Sequence, residues 1–191
     1  MIKLKTPISE QDIRNLKVGD EVLLSGTVVT GRDMVHKYLI DEKPDFIRED
    51  LKGSMIYHCG PVVKQHKDGS WSFVSAGPTT SSREEPYQAD VVCEYQIRGV
   101  IGKGGMGQKT ADGLKKCGAA YFHAVGGAGT LIAAAVKKVK AVYKMEEFGT
   151  PEAFWVIEVE DFPLVVTMDA HGNSLHKEVL EKSQKAAEGL Y

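Results

Sequence analysis

The stretch 99–138, GVIGKGGMGQKTADGLKKCGAAYFHAVGGAGTLIAAAVKK, decides the fold, because it contains the same unit twice. Gly99-Val100-Ile101 is a short apolar run that leads through glycines into a helical segment from about Gln108 to Cys117. Ala119 to Val125 is a second run, which leads through Gly126-Gly127-Ala128-Gly129 into a helical segment from Thr130 to about Lys138. Strand, glycine turn and helix in alternation predict an α/β fold with a partly parallel sheet.

Working outward, Ser9 with Asp12 three residues on predicts a capped helical turn before Leu16, and Lys17-Val18-Gly19-Asp20 turns into a strand from Glu21 to Val29. A helix starting near Arg32 carries Val35, Leu39 and Ile40 on one face. Met55 to Val63 and Trp71 to Val74 read as strands joined by the polar turn Lys67-Asp68-Gly69-Ser70. Tyr87, Val91, Val92 and Tyr95 mark one face of a helix over Glu84 to Tyr95, with Pro86 tolerated in its first turn. Phe154 to Glu160 and Leu164 to Met168 are β-rich and bent at Phe162-Pro163, and Ser174 to Gly189 reads as a polar helix. The chain reads as one domain over 1–191, with 174–191 a peripheral C-terminal helix to which no function is given.

Composition narrows the function. A formal net charge of −2 offers no basic excess for a polyanion, so nucleic acid is not expected as a partner. The three cysteines, Cys59, Cys93 and Cys117, are odd in number and widely spaced, and read as buried reduced thiols. Met1 to Lys5 does not read as a signal peptide, and no apolar run approaches the ~20 residues of a membrane span. A soluble, cytoplasmic chain without a membrane partner is expected.

Three elements carry anion-binding chemistry. Ser75-Ala76-Gly77-Pro78-Thr79-Thr80-Ser81-Ser82-Arg83 places two adjacent hydroxyls and a guanidinium in a turn that opens a helix. Gly31-Arg32-Asp33-Met34-Val35-His36 sets Arg32 and His36 four apart on one helical face, with Asp33 able to hold either. Gly102-Lys103-Gly104-Gly105-Met106-Gly107 holds a lysine among glycines. This last run also satisfies G-x-G-x-x-G, but the strand Ala119 to Val125 brings no Asp or Glu for a ribose, so a dinucleotide site is disfavoured. Lys103 reads instead as a point charge aimed at a carboxylate or phosphate. For Thr79 and Thr80 the plain alternative is a turn and helix cap, and for Gly126 to Gly129 it is close packing, which ranks above ligand contact. His58, His66, His123, His171 and His176 show no metal-site spacing and read as structural or exposed. No metal ligands are assigned in this chain.

Ser25 through His36, Gly77 through Arg83, Gly102 through Met106, and Trp155 with Glu158 through Pro163 resemble, in this order, the C-terminal domain of class I fumarases. They are equally similar to the beta subunits of two-subunit fumarases and of L-tartrate dehydratase, over about Leu4 to Asn173. The resemblance implies a three-layer β/β/α swivelling domain with a mixed, partly parallel sheet. It implies an alpha-subunit partner, in a complex of two alpha and two beta chains, that carries a 4Fe-4S cluster, while this chain binds no cofactor alone. The implied reaction is reversible hydration of fumarate to (S)-malate, a step of the tricarboxylic acid cycle, or dehydration of tartrate to oxaloacetate. By resemblance Arg32, Thr80, Arg83 and Lys103 bind the small dicarboxylate and Thr79, with Lys103, is catalytic. Asp33, His36, Gly104 and Gly105 support them. A threonine hydroxyl is a poor base unless a partner takes its proton, so an aspartate of the alpha subunit is expected to complete Thr79.

The chain departs from the family at Glu84-Glu85, where Met and Asp commonly follow the arginine. Two carboxylates facing the site would weaken anion binding, so both are expected to point away on the first helical turn.

Overall fold

The computed structural model describes residues 1–188, so the last three residues of the expected C-terminal helix lie outside it. In chain order the elements are β1 (Ile2–Lys5), α1 (Glu10–Arg14), β2 (Glu21–Thr30), α2 (Asp33–Glu42), α3 (Arg48–Leu51), β3 (Met55–Tyr57), β4 (Val62–Gln65) and β5 (Trp71–Ser75). They continue with α4 (Glu85–Tyr95), β6 (Gly99–Gly102), α5 (Gln108–Cys117), β7 (Ala120–His123), α6 (Gly129–Ala135), β8 (Val136–Tyr143), α7 (Met145–Phe148), β9 (Phe154–Met168) and α8 (Leu175–Glu188). Short 3-10 turns occupy Ser81–Glu84 and Thr150–Glu152. No described helix is long and apolar enough to cross a membrane.

The main sheet has the order β1-β2-β3-β6-β7-β9-β8, and β2 also pairs with β9. The ladder therefore closes from β2 through β3, β6 and β7 to β9 and back to β2. β1, β2, β3, β6 and β7 run parallel, whereas β9 is antiparallel to β2, β7 and β8, which is the mixed sheet expected.

Side chains alternate between two cores, as a strand buried on both faces requires. Val29, Ile56, Val100, Tyr121 and Val156 face α2, α3, α4 and α5, where Val35, Leu39, Leu51, Val92 and Leu114 meet them. Their neighbours Val28, Tyr57, Ile101, Phe122 and Trp155 face the other way, against α1, α6, β8 and the β4-β5 hairpin. Helices, parallel strands and a second stranded layer reproduce the β/β/α layering, with α1 and α6 added to the second layer.

Three expectations need correction. Met55 to Val63 is two strands, because Pro61 has no amide hydrogen to continue the ladder; β3 stays in the main sheet and β4 pairs with β5. The helix expected to reach Lys138 stops at Ala135, and Val136–Tyr143 is β8, a strand whose Val136, Val139 and Val142 pack on the core while it pairs with β9. Cys93 and Cys117 are joined as a disulfide between α4 and α5, with Cα atoms 5.5 Å apart, so only Cys59 is the buried thiol expected. Sequence separation concealed this pair, since the two helices meet only after both pack on the sheet.

β9 bends where Glu160 and Asp161 together stand opposite Ser25, because the register passes from Leu24↔Phe162 to Gly26↔Val159. Gly26 has φ 104° there, and a Cβ on it would overlap the Thr6 hydroxyl that accepts from the Thr27 amide. Gly26→Ala is therefore expected to cost ~1–3 kcal/mol in equilibrium urea unfolding. A midpoint equal to that of the parent chain would show that this close approach does not hold the bend.

Candidate active site

The parallel strands bring the candidate residues to one edge. Thr30 of β2, Tyr57 of β3, Ile101 of β6 and Phe122 of β7 are partners in register, so the segments leaving these strands emerge side by side. In α/β folds, open or closed, ligands collect at the carboxyl ends of the parallel strands. Arg32 lies two residues beyond Thr30, His58 one beyond Tyr57, and Lys103 two beyond Ile101.

The Thr79-Thr80 segment is held against this edge by its backbone. The Thr79 amide donates to the His58 carbonyl at 2.7 Å, and the Lys103 amide donates to the Thr79 carbonyl at 3.2 Å. The Ser81 amide returns to the Lys103 carbonyl at 3.1 Å, and Thr80 and Lys103 form a parallel bridge. Thr79, Thr80 and Lys103, 23 positions apart at the closest pair, thus share one short ladder.

Neither threonine hydroxyl caps the turn that follows, in contrast to the capping alternative. Thr80 is exposed. The Thr79 Oγ1 atom is buried with no hydrogen-bond partner among the described residues, a condition that costs free energy and that folding alone gives no reason to keep.

Each arginine is held by a carboxylate. Arg83 Nη2 lies 3.3 Å from Asp33 Oδ2, so Asp33 holds Arg83 and not the Arg32 or His36 that its place in the sequence suggested. Arg32 stands at the start of α2 and pairs through Nε with Glu152 Oε1 at 3.1 Å. Sequence reasoning missed Glu152, for it lies in a short turn far along the chain with no motif around it. Each guanidinium has five donors, so these pairs orient the arginines while leaving nitrogens for a second anion. Lys103 is half-buried and makes no ion pair among the described residues; a Cβ on Gly126 would stand 3.8 Å from its Cδ.

The glycines divide by role. Gly104 and Gly105 have φ 83° and 75°, which favours glycine, and His176 of α8 covers Gly105 so closely that a Cβ would strike its ring. The C-terminal helix therefore touches the glycine loop, a contact the sequence did not reveal. Gly129 lies hard against Ser75 and Gly77, which fits the packing reading at that position, whereas Gly127 has open space where a Cβ would stand.

His36 and His58 are both fully buried and face each other at 5.0 Å between ring centroids. Burial lowers the His36 pKa to about 4 and pushes His58 well below the ordinary histidine value, so both are neutral at pH 7. His58 is structural as expected, yet it belongs to the floor of the site.

The cysteines do not form a cluster-ligand set. Burial raises the Cys59 thiol to about 12, and Cys93 and Cys117 are bonded to each other.

The chain belongs to the fumarase C-terminus family, whose model matches residues 1–179. It is 52% identical over 183 residues, 96% of its length, to a Geobacillus stearothermophilus protein named "Putative fumarate hydratase class I", of which it spans only 35%. It is 41% identical over 173 residues, 90% of its length, to the L(+)-tartrate dehydratase subunit beta of Escherichia coli K12, and covers 85% of that subunit.

The two glutamates after Arg83 part company. Glu85 points away as expected and fills the start of α5, where it accepts from the Gly107 amide at 2.7 Å, the Thr110 amide at 3.2 Å and the Thr110 hydroxyl at 2.8 Å. The helix start that a dinucleotide phosphate would use is thereby occupied by a carboxylate. Glu84 departs from expectation: it turns inward, is 1% exposed, and lies 3.8 Å from His58 Nδ1 with Oε2 unpartnered. The short 3-10 turn directs it down instead of outward. Burial raises its pKa from 4.5 to about 7, so the folded chain binds a proton that the unfolded chain has already lost between these values. Stability contributed by this group is present below about pH 4.5 and is lost as pH rises towards about 7. Glu84→Gln removes this dependence. In chemical unfolding the variant is expected to gain on the parent chain as pH rises from about 5 to about 7.5. A constant difference across this range would contradict a raised pKa at Glu84.

Proposed function

We propose that the chain is the beta subunit of a heteromeric hydro-lyase that interconverts fumarate and (S)-malate, with L-tartrate dehydration as the second reading. The observation that carries the proposal is the short backbone ladder that joins Thr79 and Thr80 to Lys103 at the carboxyl edge of the parallel strands, where Arg32 follows β2 and Arg83 pairs with Asp33 of α2. Two arginine forks and an ammonium without an ion pair among the described residues suit the two carboxylates of a dicarboxylate, and fixing both orients the carbon between them. Family membership supports the same reading, as do the names of the relatives. The tartrate reading draws on the match in length to the tartrate dehydratase subunit, the fumarate reading on the higher identity. A non-catalytic nucleotide module is the poorer account, because Glu85 occupies the start of α5.

In this reading residues 1–191 act as one unit beside an alpha subunit that holds the 4Fe-4S cluster. Arg32, Arg83 and Lys103 hold the substrate carboxylates, with Thr80 beside them. The Thr79 oxygen takes the proton from the carbon next to the one that loses hydroxide and passes its own hydroxyl proton to a carboxylate of the alpha subunit, so it ends neutral as it began. The cluster would supply the Lewis acid for the hydroxide that leaves. The surface around Arg32, Thr79 and Lys103 is the one that meets the alpha subunit, since Thr80 and Arg83 lie open in the chain alone. Rates with fumarate and tartrate, measured on the anaerobically assembled pair, decide between the substrates. A preference for tartrate would transfer the assignment to the second reading.

Three variants, assayed as complexes of equal cluster content, separate the roles. Thr79→Ala is expected to lower kcat by ~100-fold or more with KM little changed, because the group acts only in the transition state. Arg83→Lys keeps the charge but loses the fork, so KM is expected to rise ~10-fold or more, with some loss of kcat. Thr80→Ala is expected to leave stability within ~0.5 kcal/mol, since its hydroxyl caps nothing, and to spare kcat. Near-normal kcat in Thr79→Ala would remove that residue from the chemistry, and a large loss in Thr80→Ala would move the role to its neighbour.

A further inference from the structure

Beneath the proposed carboxylate site runs one chain of buried polar groups that touches all three anion-binding elements. His36 Nδ1 lies 2.8 Å from the Arg32 carbonyl oxygen, so it carries a hydrogen and donates there. His36 Nε2 and His58 Nε2 lie 2.9 and 2.7 Å from the same atom of the Gln88 side-chain amide. His58 Nδ1 lies 2.7 Å from Ser81 Oγ, which is 2.8 Å from the Tyr121 hydroxyl. Gly102 closes the chain, because a Cβ on it would overlap the Ser81 hydroxyl and stand 3.0 Å from the Tyr121 hydroxyl. His36, His58, Ser81, Gln88 and Tyr121 are all fully buried.

Counting donors fixes the orientation of the central amide. A neutral His36 that donates from Nδ1 can only accept at Nε2, so the Gln88 atom facing it must be the nitrogen. A primary amide nitrogen has two hydrogens, enough for both imidazoles. His58 then accepts at Nε2, donates from Nδ1 to Ser81, and leaves the Ser81 hydrogen for Tyr121. The opposite orientation would need both nitrogens of His36 protonated, a cation without a carboxylate partner at its ring, in a fully buried place.

We propose that Gln88 is a positioning residue of the carboxylate site: its amide nitrogen, donating to His36 and His58 together, ties the start of α2 that presents Arg32 to the turn that presents Thr79 and Arg83. The inference rests on the hydro-lyase reading for its functional meaning, while the link itself does not. Gln88 touches no substrate and acts through its neighbours. Loss of the link frees the Arg32 backbone from the Ser81 turn, and small misplacements of binding groups cost rate steeply.

The test has two arms. Long-range proton–nitrogen correlation spectra of the full chain at pH 7 are expected to show His36 and His58 as neutral rings protonated at Nδ1. Protonation of either ring at Nε2 overturns the proposal without any variant. In the complex with the alpha subunit, Gln88→Glu keeps the shape but offers only acceptors, and Gln88→Met offers neither partner. Both are expected to raise KM for the dicarboxylate and lower kcat, together by ~10- to 100-fold in kcat/KM. Gln88→Glu alone is also expected to move a proton onto His36 Nε2. Folded variants with unchanged kinetics would end the positioning role, whereas a normal KM in Arg83→Lys would undo the carboxylate reading and leave the link standing.

Discussion

Pairing of β2 with β9 along both halves of each strand fixes where the chemistry can sit. It closes the ladder, and closure leaves β2, β3, β6 and β7 no freedom to slide, since a slip of one residue would turn every side chain to the wrong core. The bulge at Glu160-Asp161 lets β9 serve both β7 and β8 while keeping this register. Arg32, His58 and Lys103 come to one edge because their strands end level with one another.

Electrostatics then decide what this edge can hold. Asp33 and Glu152 hold the two arginines without exhausting their donors, and Glu85 neutralises the helix start that would otherwise compete for the anion. Below the surface charge is held down: His36 and His58 are neutral, and burial raises the Glu84 carboxyl to about 7. Cations at the edge over a floor of mostly neutral, hydrogen-bonded groups would suit an anion.

The first strand-glycine-helix unit was legible because each of its boundaries has a local cause. Gly107 precedes α5 and Gly118, at φ 66°, ends it, so this helix begins and ends at the expected residues. The run from α6 into β8 was not legible, since Val136, Val139 and Val142 recur every three residues and fit a helix as well as a twisted strand, until pairing with β9 decides. Arg32, Thr79, Arg83 and Lys103 could be singled out as candidates because cations and hydroxyls beside glycines have little structural purpose. Glu152, Gln88 and the Cys93–Cys117 bond were not, because each depends on a partner that only the tertiary fold brings near.

The most direct measurement is a crystal structure of the two-subunit complex with (S)-malate bound. The expected result is both carboxylates within ~3 Å of nitrogens of Arg32, Arg83 and Lys103, with the Thr79 hydroxyl facing the carbon that loses its proton. Malate bound elsewhere, or an alpha subunit docked on a face that leaves these residues in solvent, would contradict the assignment of this edge as half of an active site.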